Sequence, residues 1–565
     1  MKTCRRQSRS AFEGRSAFLT SAIVALALMW TPCSVRAGQN SADSALAVIR
    51  PEAIRADMRF LADDLLEGRQ TGTRGHEIAA RFMASEFEAM GLEPTGENGS
   101  YYQDVPLRAT RPDTAHTTLT LVQGGKEQAL TFGRDFIAYG DPGRTDTSVE
   151  APVVYVGFGV TAPEQGYDDY AGVDAKGKIV ALLSGAPPQF ESTVRAYYSA
   201  RETKAPNAVA HGAVGAIMLD SPALEQLYPF TDRVNDLVLP DMSWLDAQGH
   251  PNDYFPQLVA GVVLNMEVSS RVLASSGKSP EEIYAVAKAG KPLSFALPVT
   301  TKIRLASRLE EIHSRNVVAR LSGSDPTLRD QYVVYTAHLD HLGIGEPVNG
   351  DQIYNGALDN ASGSACLLEI ARAYSQMKQR PRRSILFVSV TGEEEGLLGS
   401  EYFAHHPTVP HDSLVAVINM DGAALLWPIE DVVVRGAEHS TLAADVNEAA
   451  ARLNLGVAAD PHPEQVLFIR SDQFSFVRQG IPSVFPAAGP KSSDPNIKPD
   501  EIRMNWFRTT YHKPNDDMSQ PFNFESGAKF ARFNFLLGYA VAQQNDRPAW
   551  NRGDFFGERY GRHKN

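Results

Sequence analysis

Cysteine is almost missing from this chain. Three occur in 565 residues, at Cys4, Cys33 and Cys366. Two of them sit at the extreme N-terminus, so the body of the chain has no disulfide framework and must rest on its core or on bound metal. Long hydrophobic runs are missing too. The one candidate, Ala17 to Trp30, has 14 residues, short of the roughly 20 that a membrane-crossing helix needs. Positive charge is not in excess: 54 Lys and Arg face 67 Asp and Glu, a net −13. That balance speaks against nucleic acid or an anionic membrane as a partner. No Gly-x-Ser-x-Gly or Cys/His nucleophile arrangement competes for the chemistry, and no internal repeat or low-complexity tract appears.

What is present begins with a leader. Lys2, Arg5, Arg6 and Arg9 precede the apolar run, and Val35-Arg36-Ala37 follows it with small-x-small spacing. Residues 1–37 read as a secretory signal peptide, which predicts a secreted or periplasmic location. Cys33 raises lipoprotein anchoring as an alternative, but Pro32 and Trp30 fit that cleavage poorly. Removing the leader takes away six basic residues and Glu13, so the mature chain would carry −18. Cys366 alone then remains, inside an expected helix, as a small buried apolar residue.

The length suffices for roughly two or three domains with a large core. Ile54, Met58, Leu61 and Leu65 recur at helical spacing over Pro51 to Arg69, and a second helix is expected from about His76 to Met90. Tyr101 to Leu107 reads as an edge strand. Near Arg111 the texture changes to short strands broken by Gly, Pro and Asp: TTLTLV, APVVYVGFGV, KIVALLSG and AVGAIMLD. From Thr300 strands and helices alternate, with strands expected at Asn316–Leu321, Tyr332–Ala337, Ile385–Thr391, Leu414–Met420 and Ser483–Pro486. Helical patterns fall at Ser362–Gln379, Gly399–His405 and Ser440–Leu453. Alternation of this kind predicts an α/β fold with a mostly parallel sheet between helices. The domain division expected is 41–113 and 299–545 for the α/β domain, 114–298 for a β-rich insertion, and 546–565 for a tail extending over the surface or disordered.

In such sheets ligands bind beyond the carboxyl ends of the strands. There the sequence is rich in acids and imidazoles. His338-Leu339-Asp340-His341 follows the second of these strands, Glu393-Glu394-Glu395 the third, and Asp421-Gly422 the fourth. Asp359 precedes a helix, and His512 sits in Tyr511-His512-Lys513-Pro514-Asn515-Asp516-Asp517. Each piece has an ordinary structural account, as a turn, a helix cap or a solvated helix start. Their recurrence at successive strand ends does not. Mixed imidazole and carboxylate ligands suit zinc, with cobalt or manganese as substitutes. Five such ligands suit two metals about 3.5–4 Å apart with one carboxylate bridging them.

The motifs HLD, GALDNASG, TGEEEGLLGS, NMDG and YHKPNDD, in this order, resemble the co-catalytic zinc aminopeptidase family that includes bacterial leucyl aminopeptidase, aminopeptidase Y and glutamate carboxypeptidase. The likeness covers about residues 300–544 and the helical segment 51–94. It implies the zinc exopeptidase fold and two Zn2+ per chain. It also implies that His338, Asp359 and Asp421 hold one zinc, and that Asp359 bridges to a second held by Glu394 and His512. Glu393 would be the general base, Tyr511 an oxyanion donor, and Asp340 a residue orienting His338 through its other ring nitrogen. Glu395 is expected to face outward at a first helical turn, and His341 to be a wall or surface residue. YVGFGVTAPEQGYDDYAGVDAKGKIVALLSG resembles the protease-associated domain inserted in many members, a lid or substrate-facing wall. Ser471-Asp472 is read as site wall.

The function expected is a secreted zinc aminopeptidase releasing N-terminal residues from peptides. The alternatives are another amide hydrolase or cyclase on the same scaffold, such as a dipeptide carboxypeptidase or glutaminyl cyclase, and a non-catalytic peptide-binding protein. Peptides are the expected partners, with no nucleic acid and no integral membrane span; the oligomeric state is left open.

Overall fold

The computed structural model describes residues 42–562 apart from Asp236 and Val238. The leader assigned to residues 1–37 and the last three residues lie outside the described ones. No helix among the described residues is long and apolar enough to cross a membrane.

Two helices open the fold, α1 (Pro51–Leu61) and α2 (Arg74–Ala89). Ile54, Met58 and Leu61 are buried at the expected spacing, but α1 does not run on to Arg69. Asp63 accepts a hydrogen bond from the Leu65 N–H and starts a separate turn, and Leu65 is left 83% exposed. Glu67, Gly68 and Arg69 then take left-handed backbone conformations. Gly68 is required there, because a Cβ would come within 2.5 Å of the Gly343 and Tyr354 carbonyl oxygens.

The sheet that carries the site contains β1 (Tyr102–Pro112), β2 (Ser294–Leu321), β3 (Tyr332–His338), β4 (Ser384–Val390), β5 (Leu414–Asn419), β6 (Asp431–Arg435) and β7 (Ser483–Ala488). Their spatial order is β1-β2-β4-β3-β5-β7-β6, with β4, β3, β5 and β7 parallel and both margins antiparallel. Alternate residues of β3 serve opposite faces. Val333, Tyr335 and Ala337 pack with α1, α2, α3 (Ser362–Ser375), α5 (Leu442–Arg452) and α7 (Phe524–Gln543). Tyr332 and Val334 pack with Phe403 and Ala404 of α4 (Leu398–His405) and with Phe476. Both faces are covered, which is why these strands read as continuous apolar runs. A further helix, α6 (Pro499–Thr509), stands near the carboxyl edge.

A second body of strands has its own core, in which Phe136, Tyr155, Ile179, Leu183, Ile217 and Leu264 are buried together. Ile179–Leu183, Gly215–Leu219 and Gly261–Leu264 run parallel. The 28-residue β2 joins the two bodies: Ser294–Ala306 pairs with Asp146–Val156, while Val317–Leu321 pairs with β4.

The segment after Arg547 is not a loose extension. It forms α8 (Phe555–Tyr560), and Phe556 is fully buried beside Phe468 and Phe474. Trp550 donates its indole N–H to the Gly480 carbonyl at 3.0 Å, and Asp554 lies 2.6 Å from His439. Burying one such phenylalanine favours docking by roughly 2–3 kcal/mol, so the aromatic residues of this segment outweigh its basic ones.

Candidate metal centre

Strands β4, β3 and β5 lie side by side and end at one edge. His338 is the last residue of β3, Glu393 and Glu394 follow β4, and Asp421 follows β5. His338 Nε2 lies 3.3 Å from Asp359 Oδ1 and 3.4 Å from Asp421 Oδ1. His512 Nε2 lies 3.3 Å from Asp359 Oδ2 and 3.2 Å from Glu394 Oε2. Asp359 therefore turns one oxygen to each imidazole. His338, Asp359 and Glu394 offer ligand atoms within 4.8 Å of one another, as do His338, Glu393 and Asp421. All five residues expected to hold metal, and the expected base, come together in one cluster.

The supports are backbone-directed. His338 Nδ1 is 3.2 Å from the Asp340 carbonyl oxygen. A carbonyl only accepts, so Nδ1 carries the proton and Nε2 is left to face the carboxylates. The Asp340 side chain does not orient His338, contrary to expectation: its nearest oxygen is 4.0 Å away. It accepts instead from the backbone N–H groups of Glu393 and Glu394, both at 3.2 Å, and so fixes the turn that presents them. Asp516 does the same for the other loop, accepting from the N–H groups of Leu358 and Asp359 at 3.0 Å. Asn360 Oδ1 accepts from Gly363 and Gly422, each at 2.9 Å, and ties the Asp359 loop to the Asp421 turn. Arg69, fully buried, donates to the carbonyls of Leu339, Asn355 and Gly356. Sequence reasoning missed Arg69, Asn360 and Asp516. Their partners are main-chain groups, which leave no pattern of side-chain types to find.

Two further residues depart from expectation. Glu395 does not face outward at a helix start, because α4 begins only at Leu398. Its carboxylate accepts from the Thr71 hydroxyl at 2.8 Å, and burial together with the Asp340 charge pushes its pKa well up. His341 is not a surface residue: it is fully buried, with Nδ1 2.6 Å from Glu394 Oε1. Ser471 and Asp472 are buried beneath the edge, Ser471 accepting from Asn419 at 2.8 Å.

Charge is arranged unevenly. Burial opposes ionisation throughout, yet Glu394 is held down at about 2 by His512 and His341, and Asp359 is held well below the carboxylate range by His338 and His512. His512 is pushed up to about 10 because Glu394 and Asp359 outweigh its burial. Glu393 moves the opposite way. Burial, with Asp421 and Glu394 adding to it against His338, raises it well above a normal glutamate. The Tyr511 ring stacks on His512 at 3.7 Å, and burial beside Asp359 and Glu394 raises its hydroxyl well above 10.

Four carboxylates thus share the site with three imidazoles, His338, His341 and His512, aimed at them. With all four ionised, even three imidazolium ions would leave negative charge enclosed, a costly state without further cations. Nitrogen and oxygen donors converging in two overlapping sets fit a pair of divalent metal ions.

Two cavities meet at this cluster and share Glu393, Arg470 and Tyr511. The smaller, about 190 Å³, is walled by Leu425, Trp427, Phe485, Trp506 and Phe507. The larger, about 520 Å³, is bounded by Arg201 of the second body, by Asp241 on a strand that pairs with β1, by Asn252, by Glu401 and Arg478, and by Tyr560 of α8.

Residues 316–534, which span the whole cluster, match the family model described as Peptidase family M28. Over that stretch the chain is similar to that family. The chain is 36% identical over 134 residues to mouse (Mus musculus) Aminopeptidase NAALADL1, a match covering 23% of this chain and 16% of that protein. It is 36% identical over 110 residues to a probable zinc metalloprotease of Pyrenophora teres f. teres, covering 20% and 23%. To a Glutamate carboxypeptidase 2 homolog of Caenorhabditis briggsae it is 26% identical over 347 residues, covering 54% and 42%. The matched stretches thus span between 16% and 42% of the length of these curated relatives. Among solved structures, the aminopeptidase from Aneurinibacillus sp. strain AM-1 superposes with a TM-score of 0.51 at 20% identity, over 89% of this chain and 95% of that one. This likeness concerns the fold: a mostly parallel sheet flanked by helices.

Proposed function

We propose that this chain is a zinc-dependent exopeptidase, acting as an aminopeptidase on the free N-termini of peptides and exported by its leader. The observation that carries the two-metal reading is Asp359, whose two oxygens face separate imidazoles at 3.3 Å each. In this reading His338, Asp359 and Asp421 hold one zinc, and Asp359, Glu394 and His512 hold the other. Zinc bound there would lower the pKa of water and polarise a scissile carbonyl.

The chain's own groups do the rest. Glu393, whose proton affinity is raised by burial and by Asp421 and Glu394, takes the proton of the attacking water as a carboxylate and returns it to the departing nitrogen. Tyr511, whose hydroxyl stays protonated, donates a hydrogen bond to the developing oxyanion. Asp340 keeps Glu393 and Glu394 in register through their backbone N–H groups. The small aromatic cavity suits the side chain of an apolar N-terminal residue, and the larger polar one suits the chain that leaves. The second body, read as an inserted protease-associated domain, supplies the far wall of that larger cavity.

The test uses protein stripped with a chelator and reloaded with zinc, assayed on aminoacyl-nitroanilides and on N-blocked dipeptides. The expected result is cleavage of the former only, lost on chelation, with two zinc ions per chain by metal analysis. Cleavage of the blocked dipeptides instead favours a carboxypeptidase, and cleavage of neither ends the exopeptidase reading.

A further inference from the structure

Five arginines line the two cavities that meet at the metal cluster. Four already face an acid. Arg478 lies 2.6 Å from Glu401, Arg435 lies 2.7 Å from Asp460, and Arg503 lies 2.7 Å from Asp500. Arg201, on the far wall, acts electrostatically on Asp241. Arg470 is the exception. It is exposed, it lines both cavities beside Glu393 and Tyr511, and its guanidinium makes no ion pair or hydrogen bond with a described residue. Its charge reaches the Tyr511 hydroxyl, so it stands next to the place where the scissile bond would lie.

An anionic ligand meets a hostile border here. Glu202, Asp241, Asp253, Glu393, Glu394 and Glu401 all face the larger cavity, and like charge repels. Among the described residues, Arg470 is the one cation that lines both cavities, and no described carboxylate pairs with it. A guanidinium is a planar fork of donors that stays charged and matches a carboxylate in two parallel hydrogen bonds. A peptide has two carboxylates that fall one residue, roughly 3.5 Å, past the bond to be cut. One is the C-terminus of a dipeptide, and the other is an acidic side chain on the second residue.

We propose that Arg470 is a specificity-determining residue that binds a substrate carboxylate on the departing side of the scissile bond, selecting dipeptides or peptides with an acidic second residue. The proposal rests on the exopeptidase reading for its substrate class. Arg470 leaves the reacting atoms alone and acts on affinity, so its effect belongs in KM.

The experiment compares matched pairs on the zinc-loaded protein. Leucyl-glycine against leucyl-glycinamide reads the C-terminal carboxylate; leucyl-glutamate amide against leucyl-glutamine amide reads the acidic side chain. In at least one pair the carboxylate-bearing member should have a KM about ten-fold lower, the usual worth of a charge-assisted pair. In Arg470→Gln that ratio should collapse to about one, and Arg470→Lys should restore part of it. Both wild-type ratios near one, a ratio that survives in Arg470→Gln, or an equal fall in kcat for all four peptides overturns the proposal. The same four peptides are titrated calorimetrically into Glu393→Gln and into Glu393→Gln/Arg470→Gln, where no turnover is needed. If wild type cleaves nothing while binding still discriminates through Arg470, the exopeptidase reading falls and the carboxylate site stands. If wild type cleaves all four peptides but neither binding nor KM discriminates, the carboxylate site falls and the exopeptidase reading stands.

Discussion

Both bodies of this molecule contain parallel strands with charged groups buried at their ends, and they treat those charges in opposite ways. In the second body Asp169, Lys204 and Asp220 are each answered locally. Asp169 accepts from the Tyr167 hydroxyl and from the N–H groups of Phe158 and Val160. Lys204 donates to the carbonyls of Leu183 and Gly185, and Asp220 lies 2.6 Å from Arg233. At the carboxyl edge of β3, β4 and β5 the acids outnumber everything that faces them. Buried charge as such therefore distinguishes nothing. A surplus of one sign, with the imidazole tautomers fixed to meet it, separates a metal centre from structural pairing.

The comparison breaks most visibly at Glu393. Glu393→Gln should keep its zinc, by metal analysis, and lose turnover by roughly 10³-fold, about 4 kcal/mol of barrier. Unchanged zinc with unchanged turnover would remove Glu393 from the chemistry. In the second body the corresponding change is one of stability. Asp220→Ala leaves the buried Arg233 guanidinium only the longer, partly exposed contact to Glu225 at 3.3 Å and should cost about 3 kcal/mol in urea unfolding, with no change in zinc stoichiometry. A loss of metal there would show that the two bodies share their charge accounting after all.

Metal itself should separate them next. Zinc at 100-fold above its dissociation constant should stabilise the protein by roughly 2.7 kcal/mol, read as a higher thermal midpoint than in the chelated protein. Asp359→Ala should abolish that increment, since both proposed metal positions use this residue.

The smallest effect sharpens the rule within the first body. Asp57 on α1 is pushed up to about 7, chiefly by burial and then by Glu369, with Arg372 opposing. Below about pH 4 it is protonated whether folded or unfolded, and stability is unaffected. Between pH 4 and 7 the unfolded chain releases the proton first, so stability falls as pH rises, and the full cost is present above 7. Asp57→Asn should therefore stabilise by roughly 1–2 kcal/mol at pH 8 and by nothing at pH 3.5, measured by denaturant unfolding at both values.

Three of the proposed ligands, His338, Glu394 and Asp421, were legible in the sequence because each ends or follows a strand of apolar residues, so that strand ends could be located and compared, whereas Asp359 and His512 were found through the stretches GALDNASG and YHKPNDD. The supports were not. Arg69, Asn360 and Asp516 hold backbone groups, and no residue type elsewhere in the chain reports them. His341 and Glu395 were misread because their orientation depends on the turns that Asp340 ties down, not on position within a helix or strand. Helix α7 escaped notice because it is buried on nearly every side, which erases the one-sided periodicity by which helices are found. Segment 547–562 looked peripheral by composition, and its aromatic residues found partners only in three dimensions.

That segment has a consequence in time. Tyr560 of α8 borders the larger cavity, yet it lies roughly fifty residues beyond His512, the last of the proposed ligands. On the ribosome the chain therefore acquires its whole set of metal-binding side chains before it acquires the wall that would confine a peptide. The order of synthesis separates possession of the reactive groups from possession of the closed chamber, and a partly made copy lacks the second.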